Sequence, residues 1–335
     1  METVIGLNFG SSVVSIAKKG EGLVLKEANL ISAKKNGTSL AIDRIGDSAK
    51  SVLGKTDSST VVFSPVSFGE ISSVEYATIM LKNFLSKLNI KHGMFSSIKV
   101  ISTIPMGLSE DEKQKYIALC ENIKAKEVVL IPRLYCCAIA ENINIGANNA
   151  NMIVDIGGGT IDCAVINLNT IISGSTLYIG GRSMDTSIVS YIKFKYGATI
   201  GLKTATTLKE NIGSLYSNDL AKMEVTATDD KTNRPVQLVV SAKDIYDATY
   251  VYLDEIVKII QTTLNTLPPE IANDVARNGI YVCGGYSKVP GLEKYLRQRL
   301  NLPIKISDDS NNAAANGLVK LVNTPELVDS IVKNL

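Results

Sequence analysis

The stretch from Asn151 to Asn169 constrains this chain more than any other. Two runs rich in β-branched residues flank Asp155-Ile156-Gly157-Gly158-Gly159-Thr160-Ile161-Asp162, and that pattern predicts strand, tight turn, strand. Three successive glycines let backbone N–H groups approach an anion that any Cβ would hold off. The carboxylates on either side would repel a bare phosphate, so the expected ligand is a metal-bound one. The N-terminus repeats the pattern: Val4 to Ile16 again alternates strand, small-residue turn and strand, with Gly10, Ser11 and Ser12 at the bend. Two such hairpins half a chain apart predict two related lobes, each offering a loop to one triphosphate.

A third element follows the hairpins. Gly279 to Leu292, GIYVCGGYSKVPGL, runs a buried-type strand into a glycine turn, and a helix is expected from Leu292 with Leu296 and Leu300 on its apolar face. A strand–Gly-Gly–helix junction lets an adenine or ribose lie flat against backbone. Gly284, Gly285 and Tyr286 are therefore candidate nucleoside contacts.

Two phosphate hairpins followed by such a junction resemble the order found in the actin, sugar-kinase and heat-shock-chaperone ATPase superfamily. Within it the chain resembles the MreB family of bacterial actins. Residues 46–55 (GDSAKSVLGK), 65–84 (PVSFGEISSVEYATIMLKNF), 100–107 (VISTIPMG), 180–216, 268–285 and 308–317 (DDSNNAAANG) carry the likeness nearly end to end. The resemblance implies an α/β actin-like two-lobed fold, with ribonuclease H-like duplicated cores and a nucleotide cleft between the lobes. It implies a first-lobe core of residues 1–30, 65–140 and 306–335 with 31–64 outside it. The second-lobe core would be 145–180 and 245–305, with 181–244 as its outer part. It also implies ATP or ADP with Mg²⁺ as ligands, phosphates against Gly10, Ser11, Ser12, Gly157, Gly158, Gly159 and Thr160, and Asp155 facing the metal.

The chain departs from that pattern where the chemistry is concentrated. Asn8 stands where the family carries an aspartate toward the metal; it keeps an oxygen but gives up a charge. In residues 127–140, EVVLIPRLYCCAIA, Arg133 stands where the family places an acid that orients the attacking water. A guanidinium has no acceptor and stays protonated, so it cannot act as a base, although it can fork onto phosphate oxygens. Lys209 takes the place of a lysine near the base, and Thr206 stands where an acidic ribose contact is expected. Weak or lost ATPase activity is the expectation, with Arg133 and Asp155 the residues that decide it.

Bulk properties remove several alternatives. At 335 residues and 45% apolar composition the chain can bury two cores, and a net charge of +2 gives no electrostatic case for nucleic acid. Five cysteines without metal spacing fit reduced core thiols, and a single histidine excludes a multi-histidine site. There is no apolar run long enough to span a bilayer and no secretory signal, so a cytoplasmic protein is expected. The resemblance implies paired homopolymeric filaments lying on the inner face of the cell membrane, for cell shape or motility. A short apolar loop at Met94 and Phe95 is the candidate membrane contact. A nucleotide-insensitive partner that co-assembles with another MreB-like filament is the second reading. A small-molecule kinase is disfavoured, because no inserted substrate domain is visible. At lower level, Ser109 predicts a helix start with Ile117, Cys120 and Ile123 inward, and residues 241–267 predict a long helix ended by Pro268-Pro269.

Overall fold

In a computed structural model, with residues 2–37, 39–90 and 97–335 described, the chain builds two five-stranded sheets of identical topology. In the first, Glu2–Phe9 (β1) pairs antiparallel with Val13–Lys18 (β2), and β2 with Gly22–Ala28 (β3). On its other side β1 runs parallel to Ser97–Ile104 (β4), and β4 parallel to Ala125–Pro132 (β5). In the second, Asn151–Ile156 (β6) pairs antiparallel with Ile161–Asn167 (β7), and β7 with Thr170–Leu177 (β8). There β6 runs parallel to Ile280–Cys283 (β9), and β9 to Ile304–Ile306 (β10). The duplication expected from the two hairpins is thus a property of whole sheets.

Both strands of the β6–β7 hairpin are buried at every position, because helices cover both of their faces. Arg133–Ala140 (α3) lies on one side and Ala242–Asn265 (α6) on the other. A strand covered on both faces reads as a continuous apolar run rather than an alternation, and this explains its sequence. Val74–Lys87 (α1) and Glu110–Asn122 (α2) cover the first sheet. The helix start at Ser109 is a capping box with Glu112, and Cys120 and Ile123 are buried as expected, joined by Tyr116 and Leu119, while Ile117 is half-buried. The long helix predicted over 241–267 is α6; it ends at Asn265, and the next helix starts at Pro269.

Gly181–Tyr196 (α4) and Leu202–Ile212 (α5) connect the second sheet to a three-stranded outer sheet, Ala198–Thr199, Lys222–Asp229 and Pro235–Ser241. The first lobe carries its own outer sheet of Ile31–Asn36, Ser39–Ile45 and Thr60–Phe63. Leu292–Leu300 (α7) begins where expected and buries Leu292 and Leu296. Ala313–Val322 (α8) packs across β1, β2 and α3. A third apolar cluster, with Ile131, Leu134, Tyr135, Ile153, Cys283 and Leu318 among its members, joins the two sheets through α3 and α8. The lobes therefore meet through a packed hinge instead of a loose linker. All five cysteines are buried free thiols. Among the described residues no helix is long and apolar enough to cross a membrane.

Candidate functional site

The bends of the β1–β2 and β6–β7 hairpins face each other at the mouth of this hinge. Each is closed by the same bond: Gly10 N donates to Val13 O at 3.0 Å and Gly157 N to Thr160 O at 2.9 Å. Position by position, Asn8 thus corresponds to Asp155. The glycines are required by space, since none of Gly157, Gly158 and Gly159 has a positive φ. A Cβ on Gly158 would lie 2.1 Å from Ser12 Oγ, and one on Gly159 would lie 2.3 Å from Ser11 Oγ. The N-terminal turn of α4 backs the second bend, with Gly181 N donating to Gly157 O and Arg182 N to Gly158 O. Among the described residues, the N–H groups of Ser11, Ser12, Gly158 and Gly159 donate to no acceptor within the chain. Four amides on two facing bends are an anion cradle of the kind that phosphates occupy.

Asn29 holds the first bend. It is fully buried, and its side-chain amide donates to the carbonyls of Gly10, Ser11 and Val66 at 3.0, 3.2 and 2.7 Å. Sequence reasoning missed it, because an asparagine at the end of β3 carries no signal of a contact 18 residues upstream. Arg182 was also missed. It reaches from α4 to Ser64 Oγ of the first lobe at 2.7 Å, and burial lowers its pKa against the pull of Asp185.

Arg133, the first residue of α3, sits between the two carboxylates of the second hairpin. Its Nη2 donates to Asp162 Oδ2 and to Thr160 Oγ1, the latter at 2.7 Å. Its Nε lies 2.8 Å from Asp155 Oδ2 without a directed hydrogen bond, so charge holds that pair. The side chains of Arg133, Asp155 and Asp162 are 10%, 8% and 1% exposed. Burial works to lower the guanidinium pKa; Asp155 and Asp162 outweigh it and hold it above its ordinary value. Burial likewise raises the Asp155 carboxyl, against the opposing pull of Arg133. The sequence-based expectation that these carboxylates imply a metal-bound phosphate is therefore corrected: their counter-charge is an arginine of the same chain. The guanidinium expected to fork onto phosphate forks onto aspartates, because two acids buried on one hairpin require a cation.

Mg²⁺ does not fit these residues. Asn8 Oδ1 accepts from the Thr103 hydroxyl at 2.8 Å, and Asp155 faces Arg133. Among the described residues the one cluster of possible ligand atoms near the bends is Cys137, Asp155 and Cys283, within 4.8 Å of one another. Two thiols and a carboxylate form a soft set, whereas Mg²⁺ calls for oxygens and its own waters.

On the nucleoside side, Lys209 Nζ lies 2.7 Å from Asp185 Oδ1 and donates to Gly181 O at 2.7 Å. The Thr206 hydroxyl donates to Asp185 Oδ2 at 2.8 Å or Leu202 O at 3.0 Å, which leaves its lone pairs as acceptors. The carboxylate beside residue 206 is that of Asp185 from α4, buried and held by Lys209 and Thr206, a residue the sequence reading passed over. Gly284 has φ +87°, and a Cβ there would strike Ile156 O at 2.4 Å and Asp155 Oδ1 at 2.5 Å. A Cβ on Gly285 would lie 3.3 Å from Asn311 Oδ1. Tyr286 turns into the second lobe, lining a narrow space with Lys209, Gly213 and Thr249, and burial pushes its phenol up to about 12. Met94 and Phe95 lie outside the described residues.

The description of one protein family, "MreB/Mbl protein", matches residues 2–330. This chain belongs to the MreB/Mbl family. It is 30% identical over 315 residues to the cell shape-determining protein Mbl of Bacillus subtilis, covering 93% of each chain. To the cell shape-determining protein MreB of Escherichia coli it is 28% identical over 316 residues, 93% of this chain and 91% of that one. Among solved structures, MreB5 of Spiroplasma citri bound to AMPPNP superposes with a TM-score of 0.91 at 28% identity, covering 100% of this chain and 99% of that one. The same protein bound to ADP gives 0.90. The fold is accordingly the two-lobed actin-like fold.

Proposed function

We propose that this chain is an actin-like cytoskeletal protein that binds ATP or ADP between its lobes, polymerises into filaments and hydrolyses the nucleotide weakly or not at all. Nucleotide binding is supported by the four amides of the facing bends that donate to no acceptor among the described residues and by the likeness to an MreB5 seen with AMPPNP and with ADP. A role in cell shape follows the relatives named cell shape-determining proteins, while motility, self-assembly as paired filaments and a position on the inner membrane surface are carried by the family resemblance alone. Arg133, buried between Asp155 and Asp162, carries the reading of weak hydrolysis. It has no lone pair for a water's proton, and losing a general base costs on the order of 10²- to 10⁴-fold in rate.

The test is phosphate release by the full chain beside its Arg133→Glu variant and beside B. subtilis Mbl. The expected result is a wild type at background and a faster variant; a wild type as fast as Mbl contradicts the reading. The same locked arginine favours a second reading, a nucleotide-insensitive partner co-assembling with another MreB-like filament. Sedimentation with ATP, with ADP and with neither separates the two, since the first predicts a nucleotide-dependent pellet and the second an unchanging one.

A further inference from the structure

We propose that the cleft takes its nucleotide without a divalent cation, the Arg133 guanidinium filling the charge position that a hydrated metal would otherwise occupy. This inference rests on the nucleotide reading above and adds the class of ligand: a metal-free adenine nucleotide.

Most of the oxygens that a metal's water shell would need are already engaged. Asn8 Oδ1 takes the Thr103 hydroxyl at 2.8 Å. Asp155 Oδ2 lies 2.8 Å from Arg133 Nε. Asp162 Oδ2 takes Arg133 Nη2 and the Thr160 hydroxyl, and its Oδ1 takes the Thr176 hydroxyl at 2.6 Å. The remaining oxygen, Asp155 Oδ1, turns toward Gly284, where even a Cβ would come within 2.5 Å. A small hard cation keeps an octahedron of oxygens and gives up its waters reluctantly. A pocket walled by a guanidinium, two thiols and carboxylates under 9% exposed supplies neither those oxygens nor that space.

Charge leads to the same place. With Arg133 between them, the two aspartates and the guanidinium sum to one negative charge rather than two, and the cation paired with them is a fixed part of the chain. Arg133 opens α3, the helix packed between the two sheets, and both aspartates stand on the second lobe's hairpin. The pairing that displaces the metal is therefore also a contact at the hinge, present whether or not a cation is in solution. The phosphates need no metal bridge to the protein, because the amides of Ser11, Ser12, Gly158 and Gly159 are neutral donors that favour the bare anion directly.

Calorimetric titration of the full chain with ADP and with ATP, in excess MgCl₂ and in EDTA, tests this. The two Kd values are expected to agree within about twofold, a difference under about 0.5 kcal/mol. Tightening by magnesium of about tenfold or more overturns the proposal. No heat in either buffer overturns the nucleotide reading itself and this inference with it, so the two failures are distinguishable. In the Arg133→Glu variant, magnesium dependence of about tenfold is expected to appear. Arg133→Gln, uncharged and similar in size, carries the same expectation if three adjoining carboxylates prevent the first variant from folding. A folded variant that remains indifferent to magnesium overturns the role given to Arg133.

Discussion

Arg133 can be rationalised from burial and charge alone. A buried ion triad contributes little net stability relative to apolar residues, but removing one member strands the others in low dielectric. Arg133→Ala is therefore expected to lower unfolding stability by about 3–5 kcal/mol, read by urea denaturation. A loss of only a few tenths would mean that Asp155 and Asp162 find other partners when the guanidinium is gone. The glycine bends give a finer contrast. An alanine at Gly158 meets Ser12 Oγ, the end of a side chain, whereas one at Gly159 also meets the Phe68 backbone at 2.9 Å. Gly159→Ala is expected to weaken nucleotide binding and lower Tm clearly more than Gly158→Ala. Equal effects would mean that the bends separate freely to make room.

Among the elements, α6 and the α3–α8 crossing tie local chemistry to the hinge. The first turn of α6 is capped by Ser241 and Asp244, whose carboxylate also takes Lys195 and the Tyr196 hydroxyl. Burial alone would raise the Asp244 pKa; Lys195, Ser241 and Tyr196 outweigh it and hold the carboxyl below its ordinary range. A depressed folded pKa gives stability that is present above the unfolded value and lost as pH falls through the folded one. Asp244→Asn is expected to cost about 1 kcal/mol at neutral pH, and its gap to wild type is expected to close as pH drops below about 4. A gap independent of pH would assign the effect to packing. At the crossing, a Cβ on Gly317 would sit 1.7 Å from the Cys136 carbonyl oxygen. Gly317→Ala must push α8 off α3, at a cost of about 1–3 kcal/mol by overpacking, measurable in urea.

Across the whole molecule, the sequence foretold more of the fold than of the site, for a physical reason. Turn glycines and β-branched runs act over a few residues, so both hairpins, the Ser109 cap and the long α6 were visible from local pattern, and the resemblance supplied the two-lobed arrangement. Arg133 was singled out by its place in that resemblance, yet its partners were not, because Asp155 and Asp162 lie 22 and 29 positions away and meet it only through tertiary packing. Asn29, Asp185 and Arg182 escaped for the same reason: each is an ordinary polar residue until the lobes bring it to the cleft. The glycine bends were correctly located but given an incomplete reason, since they make room for the opposite bend as well as for an anion. The central claim is that an internal arginine stands in the cleft where a metal and a water-orienting acid are expected. Crystals of the full chain grown with ADP and MnCl₂, with anomalous diffraction recorded for manganese, test it most directly. The account predicts phosphates on the Ser11–Ser12 and Gly158–Gly159 amides, Arg133 still between Asp155 and Asp162, and no manganese peak at Asp155; a manganese ion bound to Asp155 with Arg133 swung away would contradict it.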